Sequence, residues 1–225
     1  FLLKREVFIT SDGSTSIHLP DWDEQYHSKH GAIQEAKHVF IKMGLYKYLE
    51  KPVKQLSILE IGFGTGLNAF ITYLETKKKE ISVSYVGVEA YPVSENEIES
   101  LNYVSELNAL AFKKDFKQIH EVAWEEKHSV SANFQLLKRK QFFEDIDDVD
   151  VFNLIYFDAF GAKNQPELWT ESIFNKMYIA LKKGGVLTTY SAKGSVRRAM
   201  QAVGFTVERL DGPPGKREML RATKS

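Results

Sequence analysis

Apolar and polar positions divide this chain into three stretches. It opens with a short alternation, continues with one helical run, and then alternates apolar strand-length runs with 3.6-residue periodicity. Residues 5–19 alternate around Asp12-Gly13, a dipeptide that favours tight turns, which predicts a β-hairpin. Over residues 31–50 the apolar side chains Ile33, Val39, Phe40, Met43, Leu45, Tyr48 and Leu49 recur at helical spacing, and Pro52 closes the segment. Runs of strand length follow at 56–61, 84–90, 134–137, 151–157 and 186–190. Helical patterns lie between them from Leu67 onwards and at 94–110, 115–128 and 166–182. The last is expected to end on Lys182-Lys183-Gly184-Gly185, cations in the final turn before a glycine cap. Residues 196–203 read as a short helix stopped by Gly204, and 206–210 with 219–222 as an antiparallel pair around Pro213-Pro214-Gly215. Alternating strands and helices imply a mostly parallel sheet covered on both faces. The expected fold is α/β and Rossmann-like, in a single domain. An N-terminal hairpin-and-helix extension (1–52) precedes a core (53–225) that ends in an antiparallel hairpin.

The strand at 56–61 runs into Gly62-Phe63-Gly64-Thr65-Gly66, and a helical pattern starts directly afterwards. Glycines at such a turn bend sharply and bring backbone N–H groups near a ligand. The form acid-apolar-Gly-x-Gly-x-Gly, with Glu60 as the acid, resembles the first motif of S-adenosylmethionine (SAM)-dependent methyltransferases. A dinucleotide fingerprint would require glycine where Leu67 stands. Glu89 ends the next strand, one βαβ unit later, where an acid accepts hydrogen bonds from both ribose hydroxyls; Ala90 follows it. Nicotinamide cofactors are held the same way, so Glu89 alone indicates a ribose without saying whose, or else a solvated strand end.

Asp158 ends the strand at 151–157, and ligands of open α/β sheets lie beyond the carboxyl ends of the strands. Asp158 is therefore expected to face the glycine turn as the catalytic group, the alternative being a helix cap. Phe160 suits stacking on a planar substrate or a place in the core, and Lys163 suits a phosphate.

Composition narrows the class. The chain has 225 residues, 43% of them hydrophobic, enough for a substantial core. Thirty cationic and thirty acidic residues cancel, which excludes a broad basic field for nucleic acid but leaves room for a local patch. The absence of cysteine excludes disulfides, thiolate metal sites and cysteine nucleophiles. No apolar run is long enough to span a bilayer and no signal-peptide pattern opens the chain, so a cytoplasmic enzyme is the expectation. His27 and His30, with Glu35 nearby, lack an obvious third metal ligand, and no metal is expected.

Four segments, in order, are similar to the methyltransferase domain of the MnmC-like family. They are Trp22-Asp23-Glu24-Gln25-Tyr26 with Gly31 and 35–40; Gly62 through Asn68; Asp158 through Trp169; and Thr189 through Gly194 with Val196-Arg197-Arg198, followed by 215–220. They span nearly the whole chain. The resemblance implies N-methylation of the 5-aminomethyl group of wobble 2-thiouridine in tRNA, with SAM as cofactor. The alternative is a methyltransferase for a small free amine. The cofactor set implied is Glu60, Gly62, Gly64, Thr65, Gly66, Asn68, Glu89 and Ala90. Gln141 joins it in Lys138-Arg139-Lys140-Gln141, where many relatives place Gly-Asp against the adenine amine. Tyr26, Phe160 and Lys163 are expected on the substrate, and Arg197, Arg198, Lys216 and Arg217 on tRNA phosphates. Bifunctional relatives continue into a flavin-dependent oxidase, which has no counterpart in these residues. The partners expected are tRNA and the enzymes that install the aminomethyl or carboxymethylaminomethyl group, with no membrane.

Overall fold

In a computed structural model that describes residues 4–225, two sheets are present. Strands β1 (Glu6–Ile9) and β2 (Thr15–Leu19) form the expected hairpin, with Gly13 in the turn at φ +85°, and β3 (Glu24–Gln25) adds a short third strand. Helix α1 (Ala32–Ala36) passes directly into a π-helical segment, Lys37–Tyr46. That segment lies close on the main sheet. A side chain at Gly44 would meet Thr188 and Tyr156.

The main sheet is built from β4 (Gln55–Ile61), β5 (Ser82–Val88), β6 (Lys127–Ser131), β7 (Phe134–Arg139), β8 (Phe152–Phe157), β9 (Leu181–Thr189), β10 (Phe205–Asp211) and β11 (Glu218–Lys224). Their order is β10-β11-β9-β8-β4-β5-β7-β6. The five central strands are parallel, and both edges are antiparallel. The strand order reverses at β4, so a crevice opens beyond the carboxyl ends of β4, β5 and β8.

Alternation along the central strands feeds two cores. Ile58, Tyr85, Leu154 and Tyr156 face one side, under the π-helical segment and α2 (Leu67–Lys77). Leu59, Ile61, Val86, Ile155 and Phe157 face the other, under α6 (Glu171–Ala180) and α7 (Gly194–Ala202). This period of two, buried on both faces, is what a covered parallel sheet requires.

Three helical expectations are corrected. The 94–110 pattern divides into α3 (Glu95–Glu99) and α4 (Tyr103–Glu106), followed by a 3-10 turn at Leu110–Phe112. Asn102 separates the two helices because its side chain is engaged elsewhere. It donates to the carbonyl of Gly13 at 2.8 Å and accepts from the Thr15 N–H at 2.8 Å, tying the hairpin to the core. The 115–128 pattern yields only α5 (Lys113–Glu121); left-handed Glu125 (φ +64°) turns the chain into β6. That strand is short and polar at an edge, which conceals it from apolar periodicity and discourages further pairing. Finally, α6 stops at Ala180, and Leu181 is already extended and paired with Phe152. Lys182–Gly185 is then an irregularity within β9, with Gly184 at φ +74°, and not a helix cap.

Gly87 in β5 has the ring of Phe63 pressed against it, in the space a Cβ would occupy. Gly87→Ala should overpack this contact and cost about 1–3 kcal/mol. Urea unfolding should show a lower midpoint with an unchanged m-value. An unaltered midpoint would mean that Phe63 moves aside freely.

Candidate active site

The three glycines after β4 have left-handed backbones, with φ of +85°, +46° and +69° at Gly62, Gly64 and Gly66. The N–H groups of Gly62 and Phe63 both donate to the carbonyl of Val88 at 3.0 Å, which folds the turn over the end of β5. Each glycine also faces protein. A Cβ on Gly62 would lie 2.6 Å from the carbonyl oxygen of Asp158, one on Gly64 would lie 3.1 Å from the ring of Tyr26, and one on Gly66 would lie 3.0 Å from His120. The glycines therefore let the turn touch β8, the N-terminal extension and α5 at once.

Three acids converge there. Glu60, 1% exposed, accepts from the hydroxyl of Tyr85 at 2.8 Å and from Nδ2 of Asn68 at 2.9 Å. The same Nδ2 donates to Oδ2 of Asp158 at 2.9 Å, so one amide bridges two carboxylates. Burial pushes the Asp158 carboxyl up to about 7, reinforced by Glu35 and opposed by Asn68 and Lys216. Burial also raises Glu60 well above the ordinary carboxylate range. Glu89 is raised by burial too, against the N–H groups it accepts, from Gly64 at 3.1 Å and Tyr91 at 3.0 Å.

These groups line a cavity of about 740 Å³, within the range of small-molecule sites. Glu60, Gly62, Gly64, Thr65, Asn68, Glu89 and Ala90 form one side of its lining as expected candidates. Asp158, Phe160 and Tyr26 belong to the same lining. Phe160 meets Tyr26 edge-on at 5.0 Å and Trp22 edge-on at 6.2 Å, giving the cavity an aromatic mouth. The residues suit the nucleoside half of SAM. Glu89 uses one hydrogen bond on each carboxylate oxygen, leaving further lone pairs for a ribose, beside a turn whose backbone carries no side chain at Gly62 and Gly64.

Other expected residues lie elsewhere. Gly66 caps α2 against His120 rather than lining the cavity. Gln141 is outside the lining, to which its neighbours Phe142, Phe143 and Glu144 contribute. Lys163 makes an exposed pair with Asp23 at 3.6 Å. Lys216 differs most: its ammonium is ion-paired with the buried Glu35 and stands 3.9 Å from the centre of the Tyr190 ring, so it is no free phosphate contact. Arg198 and Arg217 are exposed and Arg197 is half-buried, on α7 and on the β10–β11 loop. Both segments follow or precede strand ends at the same sheet edge as the cavity.

Some lining residues were not anticipated. Arg5 donates to the carbonyls of Tyr91 (2.8 Å) and Pro92 (3.1 Å), lies beside Glu97, and sits over Tyr26. His27 is buried, pairs through Nδ1 with the Ser16 hydroxyl at 3.0 Å, and is pushed down to about 4 by burial. Among the described residues no group of three His, Cys, Asp or Glu side chains is placed to hold a metal. Trp22, Gln165 and Glu167 also line the cavity; they lie within the segments similar to the family, which is their only signal in the sequence.

Residues 102–225 match the family described as S-adenosyl-L-methionine-dependent methyltransferase. A curated relative from Marinomonas sp. (strain MWYL1) is 27% identical over 217 residues, covering 90% of this chain and 31% of its own length. One from Leptospira interrogans is 32% identical over 215 residues, covering 88% and 32%. Both are named tRNA 5-methylaminomethyl-2-thiouridine biosynthesis bifunctional protein MnmC, so this chain spans about a third of the length of these relatives. Among solved structures, MNMC2 from Aquifex aeolicus is similar with a TM-score of 0.77 at 23% identity, covering 99% of this chain and 71% of that one. Spermidine synthase from Thermotoga maritima reaches a TM-score of 0.54 at 16% identity, covering 99% and 74%. At these identities the structural likenesses establish the fold.

The raised Asp158 carboxyl has a stability consequence. A folded-state pKa near 7, against an ordinary value of 3.8, means that the folded protein holds this proton more tightly than the unfolded chain. The stabilisation is complete below about pH 4 and is lost as the pH rises through about 7. Asp158→Asn cannot ionise, so its thermal midpoint relative to wild type should be higher at pH 8 than at pH 5. Glu89 titrates in both proteins and largely cancels in the difference, while Glu60, raised in part by Asp158, is raised less in the variant and changes the difference in the same direction. A difference that is flat with pH would place Asp158 in an ordinary, solvated setting.

Proposed function

Because this chain belongs to the S-adenosyl-L-methionine-dependent methyltransferase family, we propose that it methylates the primary amine of a 5-aminomethyl group on wobble 2-thiouridine of tRNA, giving 5-methylaminomethyl-2-thiouridine. One observation carries the reading. A carboxylate with a proton affinity near neutrality, Asp158, lines the same cavity as the glycine turn and the aromatic mouth. The names of the curated relatives supply the nucleoside. A tRNA substrate implies work in the cytoplasm, after a reaction that installs the aminomethyl group.

When bound, SAM supplies a methyl group on a positively charged sulfur, which departs as a neutral thioether. The chain's own part is to hold the amine and take its proton. An alkylamine arrives largely as an ammonium, with a pKa of about 10, and must lose one proton to expose its lone pair. Transfer to a base of pKa near 7 is uphill by about 4 kcal/mol in water, and desolvation of the ammonium in the cavity reduces that gap. Asp158 accepts this proton at Oδ1 or Oδ2 while Asn68 fixes its orientation. Glu89 holds the ribose, and Tyr26, Trp22 and Phe160 exclude water and offer ring faces to a flipped pyrimidine. Arg197, Arg198 and Arg217 contact phosphates from the rim.

Asp158→Asn should retain SAM binding, read by calorimetric titration, and lose turnover on aminomethyl-tRNA by about 10²–10⁴. Methylation at the wild-type rate would make Asp158 structural. Arg197→Ala with Arg217→Ala should flatten the salt dependence of tRNA binding by about one unit of slope for each phosphate no longer neutralised, with SAM affinity unchanged. An unchanged slope would favour methylation of a small free amine. The inward pairing of Lys216 gives that alternative some weight, since it removes one cation from the RNA face.

A further inference from the structure

The ion pair that withdraws Lys216 from the surface is linked through Tyr190 to the residue after the proposed base. Glu35 comes from α1, and its side chain is 8% exposed. One of its oxygens receives the Lys216 ammonium and the other accepts the Ser28 N–H at 2.8 Å. Lys216 is fixed by its loop: its N–H donates to the Pro213 carbonyl at 2.9 Å, and Gly212 N–H donates to the Arg217 carbonyl at 3.1 Å. The ammonium covers the face of Tyr190, whose hydroxyl donates at 2.7 Å to the carbonyl of Ala159, the residue after Asp158. The β10–β11 loop, α1 and the end of β8 thus meet through the side chains of Glu35, Lys216 and Tyr190.

We propose that Glu35 and Lys216 are an opposed pair of positioning residues that sets the proton affinity of Asp158. The inference rests on Asp158 being the base of the proposed transfer. The groups that face Asp158 are few. Glu60 comes from β4, Asn68 from α2, Tyr85 from β5, Glu35 from α1, Lys216 from the β10–β11 loop and Tyr190 from the end of β9. His27 lies near Glu35 and Lys216 and is neutral at pH 7. Glu24 acts on Tyr190, Asp12 acts on His27, and Arg5 acts on Glu89. Among the described residues Lys216 is the one cation acting on Asp158, and it opposes the carboxylate of Glu35. Without Lys216 the site would hold Asp158 protonated at neutral pH. Without Glu35 the free ammonium would hold it ionised, make it a weaker base, and repel the incoming substrate ammonium.

The two truncations consequently have opposite signs, which loosened packing cannot mimic. Protein labelled with 13C at the aspartate carboxyls, with the Asp158 signal assigned by Asp158→Asn, should titrate with a midpoint near 7 in the wild type. Lys216→Met should raise that midpoint and Glu35→Gln should lower it, each by about one unit. Lys216→Arg and the double variant Glu35→Gln/Lys216→Met should lie near wild type. The acid limb of kcat/KM on aminomethyl-tRNA should move with the midpoint, upward in Lys216→Met and downward in Glu35→Gln. Midpoints that stay fixed, or move the same way in both variants, overturn the proposal. If Lys216→Met does not fold, the near-isosteric Glu35→Gln decides alone, since a midpoint that fails to fall is disproof. Midpoints that move as stated while the acid limb stays fixed would uphold the pair and remove Asp158 as the base.

Discussion

Two strand ends approach so closely here that only a residue without a side chain fits between them. The Asp158 N–H donates to the Ile61 carbonyl at 2.9 Å, and a Cβ on Gly62 would come within 2.6 Å of the Asp158 carbonyl. This contact follows from the pairing of β4 with β8, the point at which the strand order reverses. The rest of the site depends on it. It brings the glycine turn and the carboxylate to one crevice, and it places Asn68, at the start of α2, between Glu60 and Asp158. In a sheet whose order did not reverse at β4, the same motifs would lie on separate edges.

Burying acids beside one another is unfavourable unless each is satisfied. Glu60 receives a phenol and an amide, and Glu89 receives two backbone N–H groups. Asp158 receives only the shared amide from a side chain, which leaves its carboxylate the least satisfied of the three. Burial raises all three, and the donors oppose it to different extents. The site therefore gives three similar buried groups different sets of donors.

The β4–turn–α2 unit was legible because its chemistry is local. The glycines, the acid before them and the strand-end acids at 89 and 158 lie at fixed positions relative to their own strands. The residues that escaped notice act over long range. Arg5 reaches Tyr91 and Glu97 across more than 80 residues, and Lys216 reaches Glu35 across 181. Sequence spacing says nothing about such pairs, so Lys216 read as one of four surface cations. The edge strand β6 was missed for a different reason. Its residues Lys127-His128-Ser129-Val130-Ser131 carry one buried apolar side chain, and its position is fixed by pairing with β7 instead of by burial of a face. The Lys-Lys-Gly-Gly sequence resembled a helix cap, yet Leu181 had already paired with Phe152, and tertiary pairing overrode the local signal.

The N-terminal extension belongs to the site as much as the core does. Tyr26, Trp22 and His27 line the cavity, Tyr26 packs against Gly64 and Phe160, and Arg5 ties the extension to the loop after Glu89. Glu35 enters the charge balance around Asp158 from the same segment. On the proposed reading the core alone supplies a glycine turn, an acid for the ribose and a base, enough for a methyl donor and for proton transfer. Recognition of an acceptor needs further walls, and the cavity takes them from residues 5–27 together with 158–168. Substrate preference should therefore follow changes in the extension, and cofactor preference changes in the β4–α2 turn. This division follows from the topology, because the parallel strands end at one edge and the extension is laid across it.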